Sequence, residues 1–230
     1  MGLFNVSLEQ ISQQLGATVL PIASAGAWIG LGLCSVMVLA LIMDRSWALR
    51  RKRIMPAGFL EQVRRYWYRG DVKAALLCCD EERASIARIL KAGLEHHEAT
   101  KEEIEKALEA AGQFELYALN SNVRGFGLVA NLAPMLGFLG TVTGMIQAFN
   151  AIAAAGTSTP GLVAHGVSEA LLTTAAGLII GIPSLTLYHF FRGRVDRFVQ
   201  EMEEVAIELV EDLARQQQRA LYSKEQADAV

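Results

Sequence analysis

Between Arg124 and Arg192 the chain has no Lys, no Arg and no Asp in 67 residues, and it holds a single acidic side chain, Glu169. Lys and Arg are also missing from residues 1–44, after which Arg45, Arg50, Arg51, Lys52 and Arg53 arrive together. In a chain that is 52% hydrophobic and 20% charged, apolar residues clustered in this way exclude one large soluble core and indicate an integral membrane protein. Cysteine is scarce too. Cys34 lies in the first apolar stretch, while Cys78 and Cys79 are adjacent, so the three form no disulfide framework. Neither Gly125-x-Gly127 nor Gly137-x-x-Gly140 carries the GK[ST] ending of a phosphate loop. The absence of H-E-x-x-H and of a second carboxylate in the apolar run excludes a metalloprotease and an intramembrane aspartyl protease. Three spans without an inverted repeat exclude alternating access within one chain. An enzyme is therefore not expected, nor is a cofactor or a metal site, and His96-His97 between Glu95 and Glu98 reads as a solvated charge run.

What is present divides into an all-α integral membrane protein, with three transmembrane helices and long cytoplasmic helical extensions. The basic cluster after residue 44 is cytoplasmic by the positive-inside rule, so the N-terminus is periplasmic. Residues 1–20 form an outer segment, in which Leu3, Phe4, Leu8, Ile11 and Leu15 are spaced as a short interfacial helix, the alternative being a frayed terminus. Residues 21–43 are the first span, read as uncleaved because it lacks the positive start of a signal peptide. Trp47 just beyond it fits an interfacial anchor. Residues 44–124 are a cytoplasmic helical domain, 125–155 and 162–191 the second and third spans, and 192–230 a cytoplasmic C-terminal helix. The 156–161 turn carries no Lys or Arg, as an outer loop should, and Thr159 with Pro160 suits the start of a helix.

The two later spans thus make a helical hairpin. Gly140-x-x-x-Gly144 and Gly177-x-x-x-Gly181 allow backbones to approach closely in lipid, and Pro134 and Pro183 lie on the same arms. Counted from the turn at ~1.5 Å per residue, Thr141 and Thr174 both sit about 21–22 Å deep and Glu169 about 13 Å deep. A charge at the centre of a membrane helix costs roughly 2.5–3.5 kcal/mol, so such a residue faces a bundle interior or a wet cavity and marks an ion path. Glu169 is accordingly the candidate proton site, with Thr141, Thr173 and Thr174 as a tier of hydroxyls beneath it. The alternative for Glu169 is a structural hydrogen bond, and for the threonines a bond to their own i−4 carbonyls. His165, one turn before Glu169, is a candidate proton collector at the outer mouth or simply an interfacial side chain.

In the cytoplasmic part, residues 57–69 read as a helix ended by Gly70, Asp71 caps the next through Cys79, and a third covers 85–96. Thr100 to Glu103 has capping-box spacing and opens a helix with the apolar set Ile104, Ala107, Leu108, Ala111, Phe114 and Ala118, with no clear breaker before the second span. After Arg192 the chain stays helical to about residue 221, with Val195, Phe198, Met202, Val205, Leu209 and Leu213 as a stripe either solvated or buried in an oligomer.

Residues 133–142, Ala-Pro-Met-Leu-Gly-Phe-Leu-Gly-Thr-Val, and 166–178, Gly-Val-Ser-Glu-Ala-Leu-Leu-Thr-Thr-Ala-Ala-Gly-Leu, resemble the ExbB/TolQ/MotA proton-channel family, most closely its ExbB and then its TolQ branch. On the matched positions Glu169 resembles the family's membrane carboxylate, Thr141 and Thr174 its pore-lining threonines, and Pro183 the proline of its third span. The resemblance implies a homopentamer in the bacterial inner membrane around helices of an ExbD- or TolR-like single-span partner carrying an essential Asp. Proton flow would then drive a TonB- or TolA-like transducer, in ExbB-like outer-membrane transport or TolQ-like envelope maintenance. His165 departs from the proline common in the family. A non-conducting scaffold is the competing reading.

Overall fold

Long stretches of good helix formers, with Gly and Pro concentrated in the membrane arms and the turns, leave no segment with strand alternation. The computed structural model describes residues 2–155 and 160–228, and every regular element among them is helical. In order these are α1 (Gly2–Ala48), α2 (Arg51–Ile54), α3 (Ala57–Tyr68), α4 (Val72–Glu81), α5 (Ser85–Glu95), α6 (Lys101–Ser121), α7 (Val123–Ala155) and α8 (Pro160–Asp228). The predicted turn at 156–159, with Thr159, and the side chains of the 3–15 set lie outside the described residues. The backbone shows α1 as one helix where a short interfacial helix and a separate span were expected; its membrane-length part is Ile22–Ala48. In the expected continuous run into the second span, only Asn122 separates α6 from α7, and its backbone stays in the right-handed helical region at φ −84°, ψ −17°. After Arg192 the chain stays helical, as expected, within α8.

Among the described residues, three helices are long and apolar enough to cross a membrane. The described residues form two units, one of residues 1–42 and 124–189, the other of 43–123 and 190–230. In the first unit α1 buries Ala27, Leu31, Cys34 and Val38, spaced at three- and four-residue steps, while Ile29, Leu33 and Val36 face outward. It packs on α7 where glycine makes room: a Cβ on Gly30 would lie 2.9 Å from Leu136 Cδ1, and one on Gly125 2.9 Å from Leu41 Cδ1. Outward-facing Met135, Phe138, Ile179 and Ile182 would be an aggregation hazard in water and are ordinary against lipid.

The α7–α8 seam is closer still. A Cβ on Gly177 would lie 2.5 Å from the Ala133 carbonyl oxygen, on Gly137 2.8 Å from that of Thr173, and on Gly181 2.8 Å from Pro134 Cγ. Gly144 faces Ala170 and Gly140 faces Thr173, so the glycine set is used within one chain to join its own two arms. Pro134 lies inside α7 and forms one wall of this seam, whereas Pro183, inside α8, points outward.

The second unit is built from amphipathic helices with matched ends. Gly70 at φ 75° closes α3, the Asp71 carboxylate accepts from the Ala74 N–H at the start of α4, and the capping box at Thr100 and Glu103 is formed. The C-terminal stripe from Val195 through Leu213 is buried by the chain's own α3, α5 and α6 helices rather than by water or another subunit; Leu209, for example, packs against Gly93. Its acidic flank is paired in the same way: Glu201 with Arg51, Glu208 with Arg64 and Tyr68, and Asp212 with the Trp67 indole N–H. Arg45, buried at the end of α1, donates to the Leu119 carbonyl at 2.9 Å.

One predicted face is wrong in phase. Ile104 and Leu108 are buried as expected, but Phe114 is 71% exposed and the buried position beside it is Glu115, at 2%. The Arg88 guanidinium holds that carboxylate with two bonds of 2.5 Å, and Glu115 in turn pushes the Arg88 pKa above its ordinary value. Removing the cation leaves a buried charge alone, whereas removing the carboxylate leaves a half-exposed Arg that water can solvate. Arg88→Ala should therefore destabilise the second unit by about 2–3 kcal/mol and Glu115→Ala by about 1–2 kcal/mol. In thermal melts of the detergent-solubilised chain, the double variant should melt no lower than Arg88→Ala.

Candidate functional site in the membrane hairpin

Two facing helices that touch at glycines bring their polar side chains into direct reach. Thr141 on α7 and Thr174 on α8, placed at one depth by counting residues, share a hydroxyl–hydroxyl hydrogen bond. Thr141 Oγ1 also donates to the Ala170 carbonyl at 3.0 Å or to its own i−4 partner Gly137 at 3.2 Å. Thr173 reaches the Gly137 carbonyl at 3.1 Å and that of Ala170 at 2.7 Å, and Thr174 reaches Gly137 at 3.2 Å. Three hydroxyls thus converge on two carbonyls across the seam. Each hydroxyl has a single proton, so one of Thr141 and Thr174 donates to the other while the remaining protons go to the carbonyls, which locks the arms together and leaves hydroxyl lone pairs for a passing donor.

Glu169 stands one helical turn from Thr173 on the same face of α8. It is exposed on the single chain and, among the described residues, its carboxylate makes no hydrogen bond or ion pair. The expected structural partner on a neighbouring helix is therefore not found there. Instead Glu169 lines a cavity of about 70 Å³ with Ser24 and Trp28 of α1, Gly140 and Gln147 of α7, and Thr173. Thr173 is the one threonine common to the cavity and the hydroxyl tier. His165 lies one turn before Glu169 and is exposed, but it is not among the cavity-lining residues. The histidine pair of the second unit bonds backbone carbonyls of its own helix end, and no cluster of metal-ligating residues occurs among the described residues.

Sequence reasoning missed Ser24 and Gln147, whose side chains are joined by a 3.3 Å hydrogen bond. A signal for Gln147 was available: it precedes Gly156 by nine residues, as Glu169 follows Pro160 by nine, so the depth argument that paired the threonines pairs these two as well. Ser24 had no such signal, because its place depends on how α1 docks.

Fold and site together define a multi-pass helical membrane protein with one unpaired carboxylate beside a polar seam. The residues 81–204 match the model of the MotA/TolQ/ExbB proton channel family, and the chain belongs to that family. It is 30% identical over 202 residues to the biopolymer transport protein exbB1 of Vibrio cholerae, covering 86% of this chain and 84% of the relative. Similarity also extends to the Tol-Pal system protein TolQ of Haemophilus influenzae, 34% identical over 111 residues, covering 48% of this chain and 49% of the relative. The biopolymer transport protein ExbB of Salmonella typhimurium is 31% identical over 128 residues, covering 53% and 50%. Within the family the chain is ExbB-like.

Proposed function

We propose that the chain is the ExbB-like subunit of a bacterial inner-membrane motor, in which Glu169 carries protons and the proton motive force energises a TonB-type transducer for outer-membrane transport. The observation that carries this reading is the lone membrane carboxylate, unpaired in the single chain and set beside a hydroxyl tier. A fixed internal ion pair would leave it no freedom to exchange protons. Its missing counterpart is assigned to a second chain, an ExbD- or TolR-like single-span helix bearing an Asp, enclosed by a pentamer of this subunit. The reading places the N-terminus in the periplasm and the C-terminus in the cytoplasm, supported by the Lys and Arg distribution. It assigns no catalytic chemistry to the chain. Coverage of 84% of an ExbB relative, against 49% of the TolQ relative, favours the transport role over Tol-Pal envelope maintenance.

The test is co-reconstitution with the single-span partner in liposomes under a pH gradient and an imposed potential. Proton flux that needs both chains supports the motor; no flux above protein-free vesicles leaves the scaffold. In this role His165 serves the outer mouth, one turn closer to the periplasm than Glu169. His165→Ala should slow flux roughly threefold without abolishing it, since an ionisable group at the entrance supplies less than the positioned acid–base group itself. An unchanged flux-versus-pH profile would return His165 to a purely interfacial role.

A further inference from the structure

The cavity beside Glu169 is bounded by Ser24 and Trp28 of α1 and by the hairpin, including the seam residues Gly140, Gly144 and Ala170. Its polar lining residues are Gln147, Ser24, Thr173 and Glu169. Polar groups are costly in a membrane helix unless they find partners. Gln147 donates one amide hydrogen to the Ser24 hydroxyl, and an amide has a second hydrogen and an oxygen that can bond further. A space of about 70 Å³ with several polar partners holds a small number of waters, since a cavity needs roughly 10–15 Å³ and two to four partners to hold one.

We propose that this cleft between α1 and the hairpin is a water-holding antechamber, in which Gln147 and Ser24 order the water that exchanges protons with Glu169. The inference rests on the reading of Glu169 as the proton carrier and adds the route by which it is loaded. In the loading step a hydronium in the antechamber gives one proton to a Glu169 carboxylate oxygen, leaving neutral water and a neutral carboxylic acid. Gln147 and Ser24 are positioning residues: they hold the water and give up no proton of their own. A lone carboxylate thereby gains contact with the aqueous phase without a continuous file of ionisable side chains.

Two measurements on the full chain in phosphatidylethanolamine and phosphatidylglycerol vesicles test this. In a Cys34→Ala, Cys78→Ser, Cys79→Ala background, Ser24→Cys and Gln147→Cys should react with a methanethiosulfonate ammonium reagent at least about tenfold faster than Leu33→Cys, because thiolate chemistry needs water. Leu33 is outward-facing on the same helix as Ser24. Equal rates at all three positions would overturn the antechamber. The second measurement follows hydrogen–deuterium exchange of the infrared carboxyl band that Glu169→Gln removes. The near-isosteric Gln147→Met should slow that exchange about tenfold by losing the water's partner, and Gln147→Asn should restore most of the rate. Exchange unchanged in Gln147→Met, or slowed equally in Gln147→Asn, would overturn the assignment of Gln147. Neither result depends on proton flux, so a failure here leaves the motor reading standing, and a conducting Glu169→Gln variant would remove that reading without touching the labelling.

Discussion

Glu169→Gln is expected to assemble normally and to lower partner-dependent proton flux by at least about 100-fold, the scale on which removing a positioned acid–base group acts. The amide has nearly the size of the acid and can donate and accept hydrogen bonds, but it cannot take up and release a proton near neutrality. Since Glu169 makes no hydrogen bond or ion pair among the described residues, its replacement removes no bond there, and the fold should be indifferent to it. The driving force is untouched: one charge moved through ~150 mV still releases about 3–4 kcal/mol. Flux therefore falls because the carrier is gone, which separates this variant from any that disturbs packing. The check is flux in the reconstituted complex with native mass spectrometry on the same preparation. Wild-type flux with intact oligomers would sink the assignment of Glu169.

The membrane part was legible in the sequence because its signals are counts along a helix. Depth from the turn brought Thr141 to Thr174, and the same count would have brought Gln147 to Glu169 had amides been given the weight of hydroxyls. The C-terminal stripe was read residue for residue, from Val195 to Leu213, but not what buries it: periodicity shows that a face is apolar without naming its partner. The α6 face failed for a related reason. Hydrophobic spacing favoured Phe114, whereas the chain buries Glu115 beside it, and only a partner 27 residues away, Arg88, makes that tolerable. A tertiary charge pair overrides the local pattern there. For the glycines the spacing identified a packing surface, and the geometry then assigned it to the hairpin itself, so their loss bears on folding before it bears on oligomer assembly.

That assignment makes Gly177 the most sensitive position in the seam. A Cβ there would lie 2.5 Å from the Ala133 carbonyl oxygen and 3.2 Å from Gly137 Cα, so backbone of α7 stands in its way. At Gly140 the nearest atom, 2.6 Å off, is the Thr173 hydroxyl, and at Gly181 it is the Pro134 ring at 2.8 Å. The Thr173 hydroxyl can rotate away but its Cβ, at 2.8 Å, must shift with the side chain, and the Pro134 ring can shift slightly. At Gly177 the obstacle is backbone, which moves only if the helices separate. Separation at Gly177 would also stretch the threonine tier one turn away. Gly177→Ala should thus destabilise the hairpin by about 2–3 kcal/mol, the upper range for overpacking a close contact, and Gly177→Leu should prevent its closure. Gly140→Ala and Gly181→Ala should cost less, about 1–2 kcal/mol. Gly32→Ala is the control: nothing lies within 4 Å of the position its Cβ would take, and it exchanges a poor helix residue for a good one. Unfolding of the chain by increasing SDS fraction in mixed micelles, followed by tryptophan fluorescence, should rank the variants in that order. A Gly177→Ala midpoint equal to that of Gly32→Ala would show that the arms do not meet as closely as the structure places them.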